Sequence, residues 1–177
     1  FDIRSTLKLS FGQTMTQDAE TKDWSKPHKS TDLIDWETVG LFNLHAYVDP
    51  YLAFRLESQF VDASVEEKKR YLSPLKLTES GGIARKFLEK DKDLILSRLG
   101  LALRQTMASV IVDSVALTTE RESIADGGLE SVTDVNFEFN EKLLYIGKLT
   151  LFKALFSEND ATDDGKTIDV NWENTIS

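Results

Sequence analysis

Hydrophobic and polar positions alternate with period two along most of this chain. The stretch 38–60, TVGLFNLHAYVDPYLAFRLESQF, is the organising example. Side chains change face at every step of a strand, so Leu52, Phe54, Leu56 and Phe60 fall on one side and Ala53, Arg55, Glu57 and Gln59 on the other. Just before them Phe42, Leu44, Ala46 and Val48 share a face, with Asn43 and His45 opposite. Asp49-Pro50 reads as the turn between two strands, because proline pre-sets φ at the second turn position.

The same period predicts strands elsewhere. In 1–13, Phe1, Ile3, Leu7, Leu9 and Phe11 oppose Arg4 and Lys8. A polar loop follows over 14–30, and the next strand begins near Leu33, carrying Trp36, Thr38 and Gly40 on its apolar-to-small face and Glu37 on the other. Leu75, Leu77, Ile83 and Phe87 suggest a fourth strand, with Ser80-Gly81-Gly82 as a bulge or bend within it. A fifth sets Leu99, Leu101 and Leu103 against Arg98, Gly100, Ala102 and Arg104. The segment 107–130 reads as the longest irregular part. Its front half could extend the fifth strand, and Asp126-Gly127-Gly128 is a turn signal. A sixth strand over 132–139 sets Val135, Phe137 and Phe139 against Asp134 and Glu138. A seventh carries Tyr145, Leu149 and Leu151 opposite Lys148, and an eighth sets Val170 and Trp172 against Asp169 and Glu173.

Connections one, three, five and seven read as long and polar; two, four and six read as short. Short turns at one end and long loops at the other are the habit of an up-and-down sheet inserted from one side of a membrane. The aromatics fit that frame as two interfacial girdles. Tyr47, Tyr51, Phe139 and Tyr145 belong near the short-turn end, and Trp36 and Trp172 near the long-loop end.

The polar face is rich in charge of both signs: Arg4, Lys8, Glu37, His45, Arg55, Glu57, Arg98, Arg104, Asp134, Glu138, Lys148, Asp169 and Glu173. A soluble sandwich would turn this face to water and enclose the apolar one. A membrane barrel inverts that arrangement. Leu7, Leu9, Phe42, Leu44, Leu52, Phe54, Leu56, Leu99, Leu101, Leu103, Val135, Phe137, Leu149, Leu151 and Val170 would meet lipid, and the charged set would fill or line the lumen. Alternation is the same in both, and the loop lengths favour the membrane. The expected fold is therefore all-β: an antiparallel up-and-down transmembrane β-barrel in one domain over 1–177. About eight strands are visible, and both ends look cut within strands, as in part of a larger barrel.

Composition narrows the picture. The chain has 177 residues, 41% hydrophobic and 29% charged, and no apolar run approaches the roughly 18 residues of a membrane helix. A net charge of -9 argues against a nucleic-acid partner. With no cysteine, disulfide and thiolate chemistry are out. His28 sits in a Lys-Pro-His-Lys loop, and no spacing pairs either histidine with a serine nucleophile. Asn159-Asp160 and Asp163-Asp164-Gly165 resemble a calcium loop in composition only, without the bidentate glutamate at its end. No cofactor or metal is expected.

Four stretches carry a family likeness: YLSPLKLTESGGIARKF, LSRLGLALRQTM, DGGLESVTDVNFEFNEKLLYIGKLTLF and TIDVNWENTIS. From about Tyr71 onward the chain resembles β-barrel outer-membrane proteins of unknown function from Bacteroidetes and their relatives. The resemblance implies the bacterial outer membrane, contact with lipid and further strands after the last segment. It supplies no catalytic residue. Outer-membrane barrels tend to end in an aromatic residue, and Ser177 departs from that pattern. The expected role is a non-enzymatic structural, channel-like or complex-building component, in contact with other envelope proteins. The alternatives are a soluble or periplasmic β-barrel or sandwich holding a small apolar ligand, and a barrel-embedded enzyme acting on lipid.

Overall fold

The computed structural model describes residues 1–44, 46–62, 69–140, 142–158 and 168–177 except 114–117, with backbone only over 111–113. Among the described residues ten strands run in chain order: β1 (Asp2–Thr14), β2 (His28–Leu41), β3 (Asp49–Ser58), β4 (Val61–Asp62), β5 (Arg70–Tyr71), β6 (Leu75–Lys90), β7 (Asp93–Asp113), β8 (Thr118–Asn140), β9 (Leu143–Ser157) and β10 (Asp169–Ile176). Eight of them form one antiparallel sheet in the order β1-β2-β3-β6-β7-β8-β9-β10, curled into a half-barrel, and β4 pairs β5 in a separate ribbon. No helix occurs among the described residues. Successive large-sheet strands are neighbours throughout, so the order is that of a meander.

One register row crosses the whole sheet: Asp2, Leu41, Tyr51, Gly82, Gly100, Glu130, Phe152 and Asp169. Two glycines lie side by side in it because the space above them is taken. A Cβ on Gly100 would come within 2.3 Å of the Gly81 carbonyl oxygen and 2.7 Å of the Tyr51 hydroxyl. Tyr51 is thus on the concave face and 2% exposed. This corrects its expected place in an outward aromatic band. Leu41, Val39, Ala84 and Leu96 pack with it.

Four other expectations are revised. The β2–β3 connection is 42–48, and Asp49 and Pro50 already pair with Ala84 and Ile83. Phe42 and Leu44 therefore leave the sheet, held by Phe42 N donating to Pro50 O at 2.9 Å and Leu44 N to Asp49 Oδ1 at 2.8 Å. Gly81 and Gly82 keep regular pairing on both sides, and the irregularity in β6 falls between Lys86 and Leu88. Asp126-Gly127-Gly128 is strand and not turn, with a register shift toward β9. The segment 107–130 is largely a hairpin, since β7 runs to Asp113 and β8 starts at Thr118.

That hairpin outgrows its neighbours. β6 begins opposite Met107 and β9 ends opposite Asp126, so the tip pairs only with itself. Ser109 N donates to Ser73 Oγ at 3.0 Å, and Arg70 Nη1 donates to Ser109 O, tying the tip to the β4–β5 region. In the first long connection, Asp18 Oδ1 accepts from Glu20 N at 2.8 Å and Thr21 N at 2.9 Å. Those amides hold the Asp18 carboxyl below the usual carboxylate range. The acidic stretch 159–167 lies outside the described residues.

Candidate functional site: the charged concave face

Arg98 is 1% exposed, while Leu99 and Leu101 on the same strand are 54% and 63% exposed. Alternation on β7 puts the guanidinium inside the curl and the leucines outside. Arg98 Nη2 donates to Glu37 Oε1 at 2.9 Å and to Asp134 Oδ2 at 3.2 Å. The other oxygen of Glu37 accepts from Lys148 Nζ. These four residues stand on β7, β2, β8 and β9, so the contacts cross the concavity as well as following the sheet. Only a strongly curled sheet brings β2 and β9 side chains together, because four other strands separate them.

A second cluster lies beside the first. Arg55 holds Asp35 with two parallel bonds, Nε to Oδ1 at 2.9 Å and Nη2 to Oδ2 at 3.0 Å. It also approaches Glu57 at 3.4 Å and Glu173 at 3.5 Å. Lys76 reaches Glu57 at 3.3 Å, and Lys8 donates to Glu173 at 2.8 Å. The Lys8–Glu173 pair joins β1 to β10, the two edges of the sheet. In a third cluster Arg104 donates to Asp169 at 2.8 Å, lies 3.8 Å from Asp126, and stacks 3.5 Å from the Phe152 ring centre.

The clusters divide the interior. A cavity of about 960 Å³ opens toward the short-turn end, with Arg4 and Glu138 on its wall. A pocket of about 50 Å³ lies on the other side, against Arg104, Glu130 and Thr150. Glu37 and Lys148 border both, so their contact is the partition. Arg4 and Glu138 join none of the three clusters; Glu138 instead accepts from Lys92 at 3.1 Å. His45 lies outside the described residues.

The partners missed from sequence are Asp35, Lys76, Asp126, Glu130 and Tyr51. Three of them follow from steps of two residues at fixed parity: Asp35 from Glu37, Tyr51 from Ala53, Glu130 from Val132. Misplaced strand ends hid Tyr51 and Glu130, and the turn reading of 126–128 hid Asp126; Asp35 and Lys76 lay within expected strands at the polar parity.

On the convex face Leu7, Leu9, Leu52, Val170 and Trp172 are all exposed, as are Ile3, Phe11 and Ile176. Phe54, Leu56, Leu103, Val135, Phe137, Leu149 and Leu151 are half-buried among such neighbours. Trp36 donates its indole N–H to Ser5 Oγ at 2.9 Å, and the Tyr145 hydroxyl donates to Asn174 Oδ1 at 2.5 Å. Tyr47 lies under the Arg85 guanidinium at 3.6 Å, and Phe139 packs on Phe137.

Chemically, the concave face can hold fixed ion pairs. Among the described residues no group of three or more His, Cys, Asp or Glu is arranged to hold a metal. The chain matches no family model, and no curated protein or solved structure matches it.

Proposed function

We propose that this chain is the wall of an outer-membrane β-barrel whose interior is plugged by ion pairs, acting as a structural or complex-building component and not as an enzyme. One observation carries the reading: the sheet is charged inside and apolar outside. Arg98 is 1% exposed, while Leu101, Val170 and Trp172 are at least 63% exposed. In water that polarity would be unfavourable on both faces. Each exposed leucine would forgo roughly 1.5–3 kcal/mol of burial, and each buried ion would lose hydration that only a well-made pair offsets. In a bilayer the convex face meets hydrocarbon and the first cost disappears, while the second is offset by pairing on the enclosed face, as Arg98 pairs with Glu37 and Asp134.

Strand length supports the same reading. A barrel strand needs about 9–11 residues to cross, and β1, β2, β3, β6, β7, β8 and β9 run from 10 to 23. The hairpin of β7 and β8 would then stand beyond the bilayer on the long-loop side, available to other envelope proteins. The likeness to outer-membrane barrels of unknown function points to the same location. Unpaired edges are not viable in hydrocarbon, so in the membrane β1 and β10 are closed by further pairing.

The test is extraction with and without detergent, followed by gel mobility before and after heating. Detergent-dependent solubility with a heat-modifiable band is the expected result. A protein that is freely soluble and migrates identically after heating would overturn the reading and favour an apolar ligand in a soluble sheet.

A further inference from the structure

The convex face is not uniformly apolar. A groove of about 580 Å³ crosses it from β3 to the end of β9, walled by Leu52, Phe54, Leu101, Leu103 and Phe156. Its floor is Gly81, which the register sets between Leu52 and Leu101. A Cβ at Gly81 would lie 2.9 Å from Leu52 Cδ2, so any side chain there would intrude on the groove. One end is closed by the Phe156 ring, which covers Gly127; a Cβ on that glycine would fall 2.0 Å from the ring.

Glu79 is in this groove. Register places it between Phe54 on β3 and Leu103 on β7, exposed on the apolar side. It makes no ion pair and no hydrogen bond among the described residues. The concave carboxylates differ: Asp35, Glu37, Glu57, Asp134, Asp169 and Glu173 each touch a cation, and Glu130 accepts from Ser80 Oγ at 3.2 Å. The other outward cations do not reach Glu79. Lys153 shares a register row with Gly81 but stands three strands away, roughly 14 Å at 4.8 Å per strand. Arg85 is six residues along β6 and stacks on Tyr47.

Depth matters as well as charge. Leu77 shares a row with Leu56 and Trp36, and Glu79 is the next outward position from Leu77. That is roughly 7 Å along the strand from the tryptophan row, and the Leu101 row lies a further step of the same length on, so Glu79 falls between the level an indole marks and the middle of the apolar band. An ionised carboxylate there is unfavourable unless a cation meets it.

We propose that the groove binds a phospholipid carrying a primary amine, with an acyl chain along the leucines and Phe156 and the ammonium on Glu79. An ammonium offers three donors to the carboxylate. An anionic headgroup would be repelled, and a neutral chain would fill the groove while leaving Glu79 unmet. This proposal rests on the membrane reading above.

The experiment is native mass spectrometry of the detergent-solubilised, delipidated chain, offered phosphatidylethanolamine and phosphatidylglycerol with identical acyl chains. A heat-modifiability gel is run on each sample. The expected result is a preference of roughly five-fold for the amine lipid, the scale of one modest ion pair. That preference falls to parity in Glu79→Gln and reverses in Glu79→Lys. A heat-modifiable protein with no preference, or one whose preference survives Glu79→Gln, overturns the proposal and leaves the membrane reading standing. A protein that is soluble without detergent and not heat-modifiable fails the membrane reading itself.

Discussion

Arg98 and Leu99 are consecutive residues of β7 with opposite surroundings. The arginine is enclosed by Glu37, Asp134 and the Tyr51 ring, whose centre is 5.7 Å away; the leucine is 54% exposed. The comparison extends along the strand, with Gly100 and Ala102 inside and Leu101 and Leu103 outside. In a water-soluble sheet the larger apolar residues would take the enclosed face, because the hydrophobic effect scales with the area removed from water. Here, over 98–104, the enclosed face takes ions and small residues, beside the apolar cluster of Val39, Leu41, Tyr51 and Leu96. Under the membrane reading proposed above, lipid hydrocarbon is what meets the convex face. The difference gives the interior its own logic of stability: the concave residues hold one another in specific pairs, while the convex residues depend on what surrounds them.

The largest effect is expected from breaking the interior. Arg98→Ala leaves Glu37 with Lys148 alone and strips Asp134 of a cation, and removing one member of a buried pair costs about 3–5 kcal/mol. Urea unfolding of the vesicle-inserted protein measures it. A refinement uses register. Asp134 and Lys148 are directly opposed on β8 and β9, so the double variant Glu37→Met/Arg98→Met frees them to pair with each other. It is expected to recover much of the loss. A double variant as unstable as Arg98→Ala would show that the lattice does not re-pair in this way.

The second effect tests the outside. Leu101→Arg places a cation in the middle of the convex apolar band, at a cost of about 2–4 kcal/mol if that band lies at the bilayer midplane. On a water-exposed face the same change falls within about 0.5 kcal/mol. The two values do not overlap, so a single unfolding curve separates lipid from water as the outer medium. Third, Gly100→Ala is expected to cost about 1–3 kcal/mol by overpacking. The added carbon meets the Gly81 carbonyl oxygen at 2.3 Å, which is backbone and cannot rotate away. Tyr51→Ala in the same chain relieves only the hydroxyl contact, so the penalty should persist in that background.

How much of this was readable depended on the distance of the cause along the chain. Alternation is local, so the facing of Leu99, Leu101 and Leu103 against Arg98 and Arg104 was legible from five residues. Strand ends were not. Asp49-Pro50 has turn chemistry, yet Pro50 sits within β3 opposite Ile83, and β2 ends earlier, at Leu41 opposite Asp2 and Tyr51. The glycine pairs were misread for a related reason. Gly82 lacks a side chain because Leu99 and Gly100 approach it, and Gly127 because Phe156 covers it; both partners lie well away in sequence. Composition marks such a site as a bend only when no neighbour is known. The charged set was legible as a face but not as a network, since nothing local tells Glu37 that it will meet Lys148 on the far side of the curl.

The smallest effect is expected where the two edges meet. Lys8 is 47% exposed and reaches Glu173, itself 36% exposed, from β1 to β10. An exposed pair of long side chains contributes about 0–1 kcal/mol and is screened by salt. Lys8→Gln should therefore shift the unfolding midpoint little, and the shift should shrink further at high ionic strength. The value of the measurement is in its contrast with Arg98. If the curl is maintained by the interior lattice, loss of the edge pair is tolerated while loss of Arg98 is not. A Lys8→Gln cost equal to that of Arg98→Ala, and insensitive to salt, would mean instead that the curvature is set at the open seam. The interior pairs would then be a consequence of that curvature and not its cause.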